Sequence, residues 1–440
     1  MTRDAGAVRE GRSDPSEGAS APPGAEAGRG RPGSPWRVLA TTSLAHFVND
    51  GTAFFVPVMA DLLASRGHVS APVITVMLTG FYLSSSAAGI LIGRLADSGG
   101  SRGAKMAMGI LGLAAGLLLF AAAVGAPNVV ERTVLALLAA LVAGVGSSVY
   151  HPLGASLIIA AFPPRGRARA LGANGAMGSL GRALYPTLFF AVTGLIASQT
   201  GAVVVFAAVA AGAAVLLWTT RVDSRPAGGE GAHLKPGAEG APQRAWLDRN
   251  IAILTLVSLL RSLAFTGMVA WLPTYFTRER GLGLSGQLGL MVTLLYAGGI
   301  VGQPVFGLLA DRVEKRLMLA IATLGAAATT FGYLNVGGAG GLALLGLFGL
   351  FNFSGFPLLM SLVADYAPQG SSSTANAFVW GLGSTGGQAL GPLVIGLLAL
   401  SSYRHLAGSF EALALVAVAG LLGLLLLPRA GRRSRAPLFG

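Results

Sequence analysis

Long windows of this chain contain no Asp, Glu, Lys or Arg, among them 106–130, 133–164, 183–220, 281–310, 317–364 and 366–403. A helix needs roughly 20 apolar residues to cross the hydrocarbon core of a bilayer, so the longest windows each hold two crossings with a turn between them. Turn-forming stretches stand where such reversals belong, GLIASQTG at 194–201, VGGAGG at 336–341 and SSYRH at 401–405. This spacing predicts twelve spans, near 37–62, 70–96, 104–125, 132–162, 168–193, 200–221, 249–277, 285–311, 316–336, 341–366, 372–399 and 408–428. The fold class is an all-α polytopic membrane protein. With 53% hydrophobic and 11% charged residues, most of its surface is solvated by lipid.

Outside the spans, residues 1–35 contain no Leu, Ile or Phe, and 222–247 are similarly rich in Gly, Pro, Ala and charge. Neither can bury enough apolar surface to offset chain entropy, so both are expected to be disordered. The leader also lacks the apolar core of a secretory signal. The expected organisation is a leader at 1–35, a six-helix bundle at 36–221, a linker at 222–247, a second bundle at 248–428 and a basic tail at 429–440.

An even number of spans puts both termini on one side. That side holds 24 of the 31 Lys and Arg and the opposite loops hold five, which identifies it as the cytoplasm and the membrane as the cell inner (cytoplasmic) membrane. The net charge of +13 thus reflects topology rather than nucleic-acid binding. The chain has no cysteine, hence no disulfide and no thiolate metal site. Lys105, Lys235 and Lys315 are its only lysines, and none follows a glycine or precedes Ser or Thr as a phosphate-binding loop requires. There is no H-E-x-x-H helix either. The expectation is a transporter rather than an enzyme, with no cofactor.

The two halves can be laid over each other. GRLADSGGSRGAK (93–105) recurs as GLLADRVEKRLML (307–319), YHPLGASLIIAAFPP (150–164) as GFPLLMSLVADYAPQ (355–369), and GSLGRALYP (178–186) as GSTGGQALGP (383–392). This is the pattern of a duplicated six-span unit. Twelve spans in two halves, with G-x-L-x-D-x-x-G-x-R after span two, resemble the major facilitator superfamily. Gly93, Leu95, Asp97, Gly100 and Arg102 carry the motif. In the second half Gly307, Leu309 and Asp311 fit, with Arg312 beside the aspartate and Glu314 where glycine is expected. The resemblance implies the major facilitator fold, two pseudo-symmetric six-helix bundles, and loops whose carboxylates and arginines gate the cytoplasmic side. HFVND at 46–50 and GVGSSVYHP at 144–152 further resemble the fosmidomycin-resistance efflux proteins. The glycine–proline signature that many drug–proton antiporters carry in span five has no match in GANGAMGSLGRALYP.

Five ionisable side chains fall inside spans. Counted from the cytoplasmic end, His46 is 9 residues in, Asp50 13, His151 11, Arg182 14 and Arg261 12. At about 1.5 Å per residue all lie roughly 13–21 Å deep, near the midplane. Ionisable groups there face a cavity or one another. His46 and Asp50 share a helix face, Arg182 is a candidate partner for Asp50, and Asn49 a candidate ligand contact. Arg261 is expected to pair across the two halves in the empty carrier and to receive an anionic substrate group. Gly172, Gly175, Gly178 and Gly181 read as a close-packing stripe.

The expected function is secondary active transport of a small organic solute, anionic or drug-like, by alternating access, with protons as coupling ion and export as direction. The expected partners are the lipid bilayer, the solute and protons, with the protein a monomer. Two alternatives stand beside this reading: uptake of an organic anion, and a metal-ion transporter using His46, Asp50 and His151 as ligands.

Overall fold

The computed structural model describes residues 34–66, 68–97, 101–220, 248–310, 312–366, 375, 378–399 and 402–428. Residues 1–33 of the leader, the 222–247 linker, the basic tail, Gly100 and Asp311 lie outside the described residues.

In lipid every backbone polar group must be paired within its own segment, and the described chain accordingly folds as helices. The first half contains α1 (Pro35–Arg66), α2 (Ala71–Asp97), α3 (Arg102–Gly125), α4 (Val129–Ser147), α5 (Tyr150–Ala161), α6 (Pro164–Ile196) and α7 (Gln199–Thr220). The second contains α8 (Arg249–Arg278), α9 (Gly286–Ala310), α10 (Lys315–Asn335), α11 (Gly338–Tyr366), a π-helical segment (Val379–Thr385) running into α12 (Gly386–Leu398), then α13 (Leu406–Gly420) and α14 (Leu422–Leu425).

Among the described residues eleven helical segments are long and apolar enough to cross a membrane, α4 and α5 together making one of them. The twelfth crossing is the π segment with α12, so the twelve predicted spans are all accounted for. Three helix starts are capped by side chains: Ser101 accepts from the Ala104 N–H at 3.0 Å, Asn128 from Glu131 at 2.8 Å, and Asp248 from Asn250 at 2.8 Å. Each satisfies an N–H that the helix leaves orphaned.

Small residues set the helix spacing within the first half. A Cβ on Gly146 would lie 2.6 Å from the Leu113 backbone nitrogen, so α3 and α4 meet backbone to backbone. The glycine stripe of α6 does this only in part. A Cβ at Gly181 would fall 2.1 Å from the Phe47 carbonyl oxygen, whereas Gly172 and Gly175 have no described atom within 4 Å of theirs.

The prolines of the repeated segments YHPLG and GFPLL sit differently in the two halves. In the first half the crossing breaks at Ser148–Val149, where Val149 N–H reaches back three residues to the Gly146 carbonyl at 3.4 Å. Pro152 then sits in the first turn of α5, where its missing N–H removes no helical bond. In the second half Pro357 lies inside an unbroken α11.

The halves meet along α1 with α8, α2 with α12, and α6 with α9. Their hydrogen bonds lie between mid-depth and the face where α1 ends, here called the far face. Thr187 pairs with Thr293 at 2.7 Å, and Thr277 donates to Asp61 at 2.6 Å. Arg278 donates to the Ala64 carbonyl, and Tyr403 to that of Val69. The far face is closed.

Candidate functional site

His46, Asn49 and Asp50 lie on α1 within two turns, and the break before α5 brings His151 to the same place. Asp50 is 1% exposed, and each of its carboxylate oxygens meets two nitrogens. Oδ1 accepts from Asn49 Nδ2 at 3.1 Å and faces His151 Nε2 at 3.3 Å. Oδ2 accepts from Arg182 Nη1 at 3.2 Å and faces His46 Nε2 at 3.3 Å. One carboxylate thus ties α1, α5 and α6 together. A buried charge is tolerated when it is paired and hydrogen-bonded on all sides, and this one is.

The rest of the shell holds these partners in place. Gly178 lets the His46 ring lie against α6, since a Cβ there would come within 2.3 Å of Nε2. Tyr150 stacks on the other face of that ring at 4.6 Å between centroids. Asn174, 5% exposed, accepts from the Tyr150 hydroxyl through Oδ1 at 3.0 Å and lies 3.4 Å from Ser43 through Nδ2. Arg182 Nη2 donates to Ser179 at 2.7 Å. Its guanidinium also lies over Phe54 at 5.1 Å and Phe353 of the other half at 5.8 Å. His151 alone among the charged partners is broadly exposed, at 54% of its side chain.

His46 Nδ1 faces two oxygens that can only accept, the Asn174 carbonyl at 2.8 Å and Oδ1 at 3.0 Å, so Nδ1 bears a hydrogen. Nε2 stands 3.3 Å from Asp50 Oδ2, a contact that becomes an ion pair when the ring carries a second proton.

Arg261 lies elsewhere. It does not pair with Asp50 across the halves, as the sequence led us to expect. Its Nε donates to Thr323 at 3.2 Å, and Nη2 donates to the carbonyls of Asn352 at 2.6 Å and Phe351 at 3.2 Å. The guanidinium lies against Gly355, where a Cβ would stand 2.1 Å from Cζ, and over the Phe265 ring at 5.2 Å. Equal depth in the bilayer did not imply a shared cluster, because the side chain points from α8 toward α10 and α11.

Of the gating-loop residues, Gly93 and Asp97 are in the last turns of α2 and Arg102 opens α3 after the Ser101 cap. Gly307 lies exposed in α9, and Arg312 is exposed in the turn that follows. The sequence reading missed Tyr150, Asn174 and Ser179, neutral groups whose cost in a span is too small to draw notice. It also passed over Asp61, a carboxylate only a few residues from the far end of span one.

Two helical halves spanning a bilayer, closed against each other at one face and holding a charged cluster at mid-depth, define a membrane transporter and not an enzyme. The chain belongs to the Major Facilitator Superfamily, whose family model matches residues 39–392 and 285–439. It is 32% identical over 175 residues to the multidrug resistance protein MdtG of Yersinia enterocolitica, a match covering 36% of this chain and 39% of that protein. It is 28% identical over 184 residues to a quinolone resistance transporter of Acinetobacter baumannii, covering 41% and 42%. The chain thus matches about two-fifths of the length of these curated relatives. Among solved structures, the fold is similar to an inward-facing, unoccupied bacterial homolog of the human lysosomal transporter Spinster, with TM-score 0.67, 15% identity and coverage of 89% and 95%. The nucleoside transporter NupG gives TM-score 0.70 at 12% identity, with coverage of 88% and 99%.

Proposed function

We propose that the protein is a proton-coupled exporter of small organic, drug-like solutes, working as a monomer in the cytoplasmic membrane with both termini inside. The observation that carries this reading is the buried Asp50 carboxylate set between His46, His151 and Arg182, with His151 open to solvent. A proton shared between such a carboxylate and its imidazoles is sensitive to the exchange of any one partner. An arriving solute that engages Arg182 or His151 changes how tightly the proton is held, and this is what coupling requires.

The halves at 36–221 and 248–428 are the bodies that move. The positive-inside bias makes the far face external, so its closure supports a cavity open to the cytoplasm in this state. Export is favoured by the relatives named for multidrug and quinolone resistance. Arg261 is the proposed seat for an anionic group of the solute, since its described partners are all neutral.

The test uses purified protein in liposomes with a fluorescent quinolone as probe and a pH dye in the lumen. An imposed pH gradient should drive quinolone against its concentration, and adding quinolone should move protons the other way. Transport indifferent to the pH gradient would sink the coupling. A second reading rests on one observation: ligand atoms of His46, Asp50 and His151 all lie within 4.8 Å of one another, close enough to share a metal ion. Arg182 on the same carboxylate opposes it, because a cation site rarely keeps a permanent positive charge at its edge. Stoichiometric zinc or manganese in purified protein, lost in His151→Ala, would establish that reading instead.

A further inference from the structure

Asp61 stands apart from the Asp50 cluster, in the last turns of α1 at the closed far face. It is 0% exposed. Its Oδ1 accepts from Thr277 of α8 across the halves at 2.6 Å and from Ser65 at 3.4 Å. Its Oδ2 is buried with no hydrogen-bond partner among the described residues. The Thr274 hydroxyl, beside the same carboxylate, is likewise buried and unpartnered.

Arg278 is the charged group that bears on Asp61 from α8, yet its guanidinium donates to the Ala64 carbonyl and lies over the Tyr403 ring at 4.7 Å. Among the described residues no ion pair joins it to Asp61. Tyr403, from the segment before α13, is the other titratable group facing this carboxylate.

An ionised carboxyl has acceptor capacity on both oxygens, and leaving one of them buried and empty is costly. A neutral carboxyl lowers that cost, because burial without an ion-pair partner penalises the charged form far more than the protonated one. We propose that Asp61 is a second proton site, occupied when the far face is closed and emptied when that face opens. Opening draws α1 from α8, breaks the Thr277 bond and exposes the carboxyl to water, where it ionises. By linkage the far face is then held closed at low pH and released as pH rises. For one proton the closed-to-open ratio falls by at most about tenfold per pH unit. The proposal concerns a different group from the Asp50 cluster and holds whether or not transport is proton-coupled.

The chain contains no cysteine, so a labelled pair can be introduced without background. Ser70 and Arg404 flank the Tyr403–Val69 bond on the two halves and are both exposed. Spin labels on Ser70→Cys with Arg404→Cys, in protein reconstituted into lipid nanodiscs, report the far-face distance from pH 5 to pH 9. We expect the short-distance population to fall with rising pH, to keep doing so in Asp50→Asn, and to lose most of that dependence in Asp61→Asn. A distance independent of pH in the parent pair overturns the proposal. So does a dependence that survives Asp61→Asn unchanged. Should Asp61→Asn fail to fold, Thr277→Val serves: it keeps the carboxyl but removes the inter-half donor, and must deepen the fall across the same pH range. A Thr277→Val profile identical to the parent also overturns the idea.

Discussion

The two halves descend from one repeat pattern yet treat buried charge in opposite ways. The first half builds a hub: Asp50 collects His46, His151 and Arg182 from three helices, all within 3.3 Å. The second half seats a single cation, Arg261, on a hydroxyl and two helix carbonyls. Where His151 projects from a broken crossing in the first half, the second half has Phe356, 38% exposed and in edge contact with Trp380 at 4.4 Å. A titratable, adjustable half thus faces one that is fixed in charge and aromatic. The contrast suggests a division of labour, with proton handling in the first half and solute recognition shared between them.

The largest expected effect comes from removing the hub. Asp50→Asn leaves Arg182 and two imidazoles without their common counter-ion, and pH-driven quinolone transport in liposomes should drop on the order of 100-fold or more. Counter-flow of substrate without a pH gradient should persist, because binding and alternation do not themselves require the proton. Loss of both activities together would show Asp50 to be structural. Arg182→Ala tests the same hub from its other side. Breaking a buried pair costs about 3 kcal/mol, so the melting temperature should fall clearly.

How much of this arrangement was readable in the sequence depends on what kind of information each part uses. The spans, their count and the duplication are written in long uncharged windows and repeated motifs, because lipid penalises any departure from them. Asp50 and its partners were legible for the same reason: a charge at mid-depth is expensive, so its presence announces a role. Side-chain direction is not written there. Arg261 has the same depth as Arg182, but only the packing of α8 against α10 and α11 shows that it turns away from the interface. The break at Ser148–Val149 and the π segment at Val379–Thr385 were equally hidden, since glycine-rich sequence permits both a straight helix and a distorted one.

Arg261 supplies the next test of the comparison. Arg261→Lys keeps the charge but cannot reach Thr323 and both carbonyls with one ammonium, so the fixed seat is lost. Affinity for an anionic quinolone should fall by roughly tenfold, one interaction of about 1.4 kcal/mol, with folding and insertion unchanged. The pH dependence of transport should stay as in wild type. A shifted pH profile would mean that the halves share one electrostatic network after all. Equal affinity would reduce Arg261 to a pin between α8 and α11.

A matched pair of glycine substitutions separates the halves more finely. A Cβ at Gly178 would meet His46 Nε2 at 2.3 Å, and one at Gly355 would meet Arg261 Cζ at 2.1 Å. Each displaces one functional side chain by a single methyl group. Gly178→Ala should move the pH at which transport is half-maximal, with little change in affinity at the optimum. Gly355→Ala should weaken anion binding several-fold and leave the pH profile alone. The reverse outcome in either variant would break the proposed division.

The smallest effect on stability is expected at Gly172 and Gly175, and for that reason it says most about motion. Both lie in α6 with no described atom within 4 Å of a would-be Cβ, while Gly181 further along the same stripe packs on α1. In this state an alanine at either position collides with no described atom, and replacing glycine inside a helix gains about 1 kcal/mol at most. Thermal stability of Gly172→Ala and Gly175→Ala should therefore be equal to wild type or slightly higher. A stripe of small residues that meets no partner here has a reason to be small only if a partner arrives in another state. When the far face opens, the opposite ends of the halves must approach, and these glycines lie toward that end of α6. Turnover in liposomes should then fall several-fold although the protein is no less stable. Wild-type turnover in both variants would show that this part of α6 never meets the other half, and that the halves close at the end opposite the far face through other helices.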